Sequence, residues 1–194
     1  MSLTVLPFRL PGRIFRSPMP FGPYDLHSEV YDRWCEEQIA VIVLLAGDEE
    51  CLHKTGCYLR ALYLKEGFQV LYLPIPDFGI PTIDDLEQAV QQTIAYAQAG
   101  RHIVIHCSAG IGRTGLFMAY LAKRALGVSG AEALQWVRRF IPHAAEALLG
   151  GSPPGATTGL WLGPDAVELG HAGGATSDKT GPGGVRVARP TLAP

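Results

Sequence analysis

Residues 106–115 read "HCSAGIGRTG", and two kinds of phosphate site are written in them. The glycines, Gly110-x-Gly112-x-x-Gly115, match the turn that cradles a dinucleotide. The polar ends, Cys107 and Arg113, enclose Ser108, Ala109, Gly110, Ile111 and Gly112, the spacing a sulfur nucleophile needs to attack a phosphate ester held in a loop.

The neighbouring residues separate the two. Residues 101–107, "RHIVIHC", are short, β-branched and apolar, which predicts a buried strand. Residues 113–125 have helical spacing. A dinucleotide site requires a second parallel strand after that helix, with an acid about 20 residues on. Here Gly127 stops the helix, and Ser129-x-x-Glu132 opens another one as a capping box, closed by Pro142. The βαβ unit is never completed. An ATP-type loop fails sooner, because Leu116 stands where its lysine would follow Gly115.

The phosphate-ester reading accounts for each residue type. Between strand and helix, residues 108–112 can wrap an anion with main-chain N–H groups, above the positive end of a helix. Gly110 and Gly112 are expected to supply positive φ and close approach. Arg113 offers a planar fork for two phosphoryl oxygens. The same field favours the thiolate of Cys107, since electropositive helix-end sites lower a thiol's pKa from ~8.5 to ~3.5–7.5. Thr114 is expected to place a hydroxyl near that sulfur. His106 is expected to order the loop backbone rather than to move protons.

Outward from the loop, strands and helices alternate. Residues 39–46, "IAVIVLLA", and 68–76, "FQVLYLPIP", predict two more buried strands, and "PGRIFRS" (11–17) an edge strand. Helices are expected over 28–37, 49–65 and 82–100, the last capped by Thr82 and ended by Gly100. This order implies an α/β fold: a central, mostly parallel sheet flanked by helices in three layers.

The bulk composition narrows the function. With 194 residues, 47% of them hydrophobic, the chain can bury a substantial core, and a net charge of −2 argues against nucleic acid as a partner. No apolar run approaches the ~20 residues of a spanning helix, and prolines interrupt the N-terminus where a leader would be apolar, so a cytoplasmic monomer without a membrane partner is expected. The four cysteines include Cys51-x-His53-x-x-x-Cys57, which lacks a second ligand pair of zinc spacing, so no metal is expected. Tyr24, Tyr31, Tyr58, Trp34 and Trp136 are assigned to packing. From residue 150 onward Gly and Pro make up about a third of the text, and this tail, 150–194, is read as structureless beside a domain over 1–149.

"HCSAGIGRTG" resembles the signature of the protein tyrosine phosphatase superfamily, His-Cys-x5-Arg-Thr-Gly. With "LPIPDFGIP" (73–81), residues 10–146 are similar to its small dual-specificity members, including the cyclin-dependent kinase inhibitor-associated phosphatases and their bacterial relatives. The resemblance implies a cysteine phosphatase fold, no cofactor, and a phosphorylated protein or peptide as substrate. It implies two displacements: Cys107 attacks phosphorus, Arg113 and the loop amides hold the oxygens, and Asp77, about 30 residues upstream, protonates the leaving group. Asp84 and Asp85 rival Asp77, but both sit where a helix's first turn favours acids. Two departures are visible. Ile75 stands near the family's usual Trp, and Ala147 and Gly150 replace the Thr and Gln that relatives carry after Glu146. A phosphate-binding module with little turnover, or a phosphatase of lipid or RNA, are the alternatives; lipid-directed relatives place Lys in the loop, where Ile111 stands.

Overall fold

A computed structural model describes residues 3–145. The segments singled out after residue 145, including the departures at Ala147 and Gly150 and the Gly/Pro-rich tail, lie outside the described residues. Five strands, β1 (Thr4–Leu6), β2 (Ile14–Ser17), β3 (Ile39–Leu44), β4 (Gln69–Tyr72) and β5 (His102–His106), form one sheet in the order β1-β2-β5-β3-β4. The pairings β2–β5, β5–β3 and β3–β4 are parallel, and only β1–β2 is antiparallel. The expected mostly parallel sheet is therefore present.

Helices cover both faces: α1 (Val30–Glu36), α2 (Asp48–Thr55), α3 (Leu59–Lys65), α4 (Ile83–Gln98), α5 (Gly112–Leu126) and α6 (Gly130–Arg138). Alternation along β5 explains the two cores. Ile103, Ile105 and Cys107 face α4, α5 and α6, whereas Val104 faces α1, α2 and α3 with Trp34, Leu59 and Tyr63. A strand buried on both faces must be apolar throughout, which is why "IVI" in β5 and "VIVL" in β3 read as unbroken runs.

Three expectations need correction. Residues 14–17 are not an edge strand: β2 lies between β1 and β5, and all four of its residues are buried. The edge belongs to β1, three residues long. The helix expected over 49–65 is two helices, because Gly56 takes a left-handed φ of 73° and ends α2. Thr55 Oγ1 then accepts the N–H of Cys57, turning the chain before α3 begins. The strand expected over 68–76 is regular only over β4, although Leu73 and Ile75 still donate to Leu44 O and Leu45 O beyond it.

The other local signals hold. Thr82 caps α4 by accepting the N–H of Asp85, and Ser129 and Glu132 complete the capping box of α6. Gly127, with φ 66°, ends α5. β2, β3, β4 and β5 run the same way, so their carboxyl ends open on one side, where ligands bind in such sheets. The loop carrying Cys107 leaves β5 at that edge.

Candidate active site

Cys107 follows β5 directly and is 3% exposed. Residues 108–111 then turn the chain into α5, whose N-cap, Ile111, provides no side-chain cap. Among the described residues, no backbone carbonyl accepts an N–H of Ser108, Ala109, Gly110, Ile111, Gly112 or Arg113. N–H groups left over at the start of a helix are donors that an anion can take up.

The loop's outer wall is the segment that follows β2. Met19 N–H donates to Ser108 O at 2.8 Å. Gly110 has φ 71°, and a Cβ there would lie 2.2 Å from Ser17 O, so glycine is required twice over. Gly112 departs from expectation. It is helical, has no positive φ, and a Cβ there meets nothing within 4 Å. Gly115 is needed for packing instead, since its Cβ would lie 2.6 Å from that of Ala144.

Arg113 is 3% exposed and anchored by three hydrogen bonds. Nη1 donates to Glu50 Oε2 at 2.6 Å and to Ile75 O at 3.0 Å. Nη2 donates to Glu50 Oε1 at 2.8 Å and lies 3.4 Å from Asp77 Oδ1. A guanidinium has five N–H donors. Glu50 and Ile75 take three of them, so Nε and the outer N–H of Nη2 remain for a phosphoryl group, and Asp77 stands at the latter. The fork expected to hold phosphate is thus anchored from behind by a carboxylate. The guanidinium holds the carboxyl of Glu50 down to about 2, with Lys54 adding to the effect against the opposing pull of burial.

Asp77 lies on the turn after β4, closed by Gly79 N–H donating to Pro76 O at 2.8 Å, and its side chain is 58% exposed. It lines a pocket of about 350 Å³ with Cys107, Ser108, Ala109, Ile111, Gly112 and Arg113. Tyr24, Lys54, Phe78 and His143 complete the wall. Tyr24 is not the packing residue the sequence suggests: it is 58% exposed and lines the pocket. Its loop is tied down by Asp25, which accepts the N–H groups of Phe21, Glu29 and Val30. Asp84 and Asp85, in the first turn of α4, do not line this pocket.

His106 is wholly buried beneath the loop. Its Nδ1 lies 3.1 Å from Cys107 O, a pure acceptor, so Nδ1 carries the proton and Nε2 accepts from Tyr63 O–H at 3.1 Å. Burial pushes the imidazole down to about 4, with the nearby Arg113 charge acting the same way, so the ring is neutral near pH 7. Both ring nitrogens are thus occupied, one by the backbone of Cys107 and the other by Tyr63. Thr114 is fully buried, but its Oγ1 makes no hydrogen bond among the described residues, so the expected contact with the sulfur is not formed in the free protein.

Sequence reasoning missed Glu50 and Lys54. Both lie on α2, and their i,i+4 spacing signals only a solvated helix pair. Lys54 Nζ donates to Glu50 Oε1 at 2.8 Å and to Ser108 Oγ at 2.9 Å.

Cys107, Arg113 and the loop between them thus stand together at the carboxyl edge of the sheet, lining one pocket. A family model described as "Polymorphic toxin system, DSP-PTPase phosphatase" matches residues 24–125, and the chain belongs to that family. The crystal structure of Tk-PTP in its active form is 30% identical, with a TM-score of 0.58 over 70% of this chain and 84% of that one. An uncharacterized protein of Methanocaldococcus jannaschii is 39% identical over 69 residues, 35% of this chain and 44% of the relative. The human tyrosine-protein phosphatase non-receptor type 5 is 29% identical over 109 residues, 49% of this chain and 19% of the relative. The chain spans less than half the length of these two curated relatives.

Proposed function

We propose that the protein hydrolyses phosphotyrosine in a protein or peptide, and phosphoserine or phosphothreonine at the same site, through a cysteinyl-phosphate intermediate. One observation carries this reading: Cys107 and Arg113 bracket a loop whose N–H groups have no acceptor among the described residues, while Asp77 Oδ1 stands 3.4 Å from Nη2 of Arg113.

The phosphoryl group enters the loop with its oxygens on the amides and on Nε and Nη2 of Arg113. Cys107 Sγ attacks phosphorus in line, and the bond to the leaving oxygen breaks as Asp77 gives that oxygen its proton. Water then attacks the phosphocysteine, Asp77 takes the proton back, and the sulfur leaves as thiolate. Loop amides and the helix end stabilise charge on the equatorial oxygens throughout. The Thr114 hydroxyl, which makes no hydrogen bond among the described residues, has a donor to spare for the departing sulfur.

Exposed Tyr24 and Phe78 at the pocket mouth support an aromatic leaving group. So does the likeness to the human tyrosine-protein phosphatase non-receptor type 5. A kinetic panel of phosphotyrosine, phosphoserine and phosphothreonine peptides, with a phosphoinositide arm, tests the reading. Turnover of the tyrosine peptide, blocked by vanadate, is expected; turnover of the lipid alone would overturn it.

A further inference from the structure

The pocket holds a cation that the proposed mechanism does not use. Lys54 reaches from α2 to the pocket wall, 25% exposed, and its Nζ bridges Glu50 Oε1 at 2.8 Å and Ser108 Oγ at 2.9 Å. Ser108, by contrast, belongs to the phosphate loop itself and is 5% exposed.

An ammonium can only donate, and a hydroxyl has one proton and two lone pairs. With Nζ on one lone pair, the Ser108 O–H points away from Lys54. Among the described residues no hydrogen bond takes that proton, although Ser108 lines the pocket beside Cys107. A neutral acceptor in place of Lys54 would turn the proton outward and spend it on the wall. We propose that Lys54 is a positioning residue: it fixes the Ser108 hydroxyl as a side-chain donor to a bound phosphoryl group, adding one bond to those of the loop amides. A charged donor also polarises the hydroxyl it binds and strengthens the bond passed on. The inference rests on the phosphatase reading above.

The test is a double-mutant cycle on the full chain with Lys54→Met, Ser108→Ala and both together, measuring vanadate inhibition and hydrolysis of an aryl phosphate. Each single variant is expected to weaken vanadate inhibition roughly tenfold, the size of one lost bond to a charged group. The double variant is expected to lose no more than either single one. Lys54 also touches Glu50, which anchors Arg113, and the cycle separates the two routes. If Lys54→Met still weakens vanadate by its full factor in the Ser108→Ala background, it acts through Glu50 and the proposal falls. It falls equally if Ser108→Ala leaves vanadate inhibition unchanged. Wild-type protein that hydrolyses the ester and binds vanadate while both single variants match it overturns the Lys54 role alone. Wild-type protein that does neither overturns the phosphatase reading and this one with it.

Discussion

Arg113 and Glu50, on helices that begin 64 residues apart in the chain (Asp48 and Gly112), meet through two hydrogen bonds of 2.6 and 2.8 Å. The pair explains how an arginine that must receive phosphate is held steady before phosphate arrives. Removing the carboxylate leaves a buried guanidinium without its counter-charge, and breaking such pairs costs about 3–5 kcal/mol. Glu50→Ala is expected to lower kcat/KM about 100-fold or more and to reduce stability in urea. Glu50→Gln, which keeps one acceptor, is expected to fall between. Wild-type kinetics in Glu50→Ala would show that the loop positions Arg113 unaided.

Cys107→Ser is expected to abolish turnover while vanadate, or a phosphotyrosine peptide, still binds, since amides and Arg113 remain in place. Isothermal titration measures this directly. Retained turnover would remove Cys107 as nucleophile.

Asp77 carries the proton in the proposed chemistry but also stands against Nη2 of Arg113. Asp77→Asn is therefore expected to act twice. Hydrolysis of esters with poor leaving groups falls about 100-fold, the usual scale of general acid catalysis, and falls less for p-nitrophenyl phosphate. Phosphate binding does not weaken, because a negative charge beside the fork is gone. Equal losses for good and poor leaving groups would place the acid elsewhere.

Gly110 and Gly112 look alike in sequence and are expected to behave differently. Gly110→Ala forces a left-handed φ on a residue with a side chain and drives that side chain onto Ser17 O, a loss of about 2 kcal/mol or more. Gly112→Ala meets open space and is expected to leave the unfolding midpoint unchanged. Denaturant titration of the two variants makes the comparison.

Acid should weaken the fold through two groups in turn. His106 lies at about 4 when folded against 6.5 as its ordinary value, so its share of stability is complete above pH 6.5 and is lost as the pH falls toward 4. Glu50 lies at about 2 against 4.5, so its share is complete above pH 4.5 and is lost toward pH 2. Each shift corresponds to a few kcal/mol, on the order of 3. Unfolding free energies measured from pH 7 to 4 should slope downward in the wild type and flatten in His106→Asn. Parallel slopes would mean that other groups carry the acid sensitivity.

The loop was legible because its chemistry is contiguous: Cys107, the glycines and Arg113 lie within one strand-loop-helix unit. Capping by Thr82 and Ser129 was legible for the same reason, each cap being a contact across three residues. What escaped was long-range or too short to show a period. β1 spans three residues, and the interior place of β2 depends on which strand lies beside it. Glu50 and Lys54 reach partners 63 and 54 residues away, so their spacing on α2 said nothing of the loop. The break at Gly56 was readable, since Gly is the commonest residue to end a helix left-handed, but the apolar spacing on either side concealed it.

The wall that Ser17 and Met19 build against Gly110 and Ser108 has a thermodynamic corollary. A mould already set before its contents arrive has little motion left to surrender. Capture of a phosphoryl oxyanion should therefore proceed with a small entropy penalty, and with an association rate governed by access through the mouth between Tyr24 and Phe78.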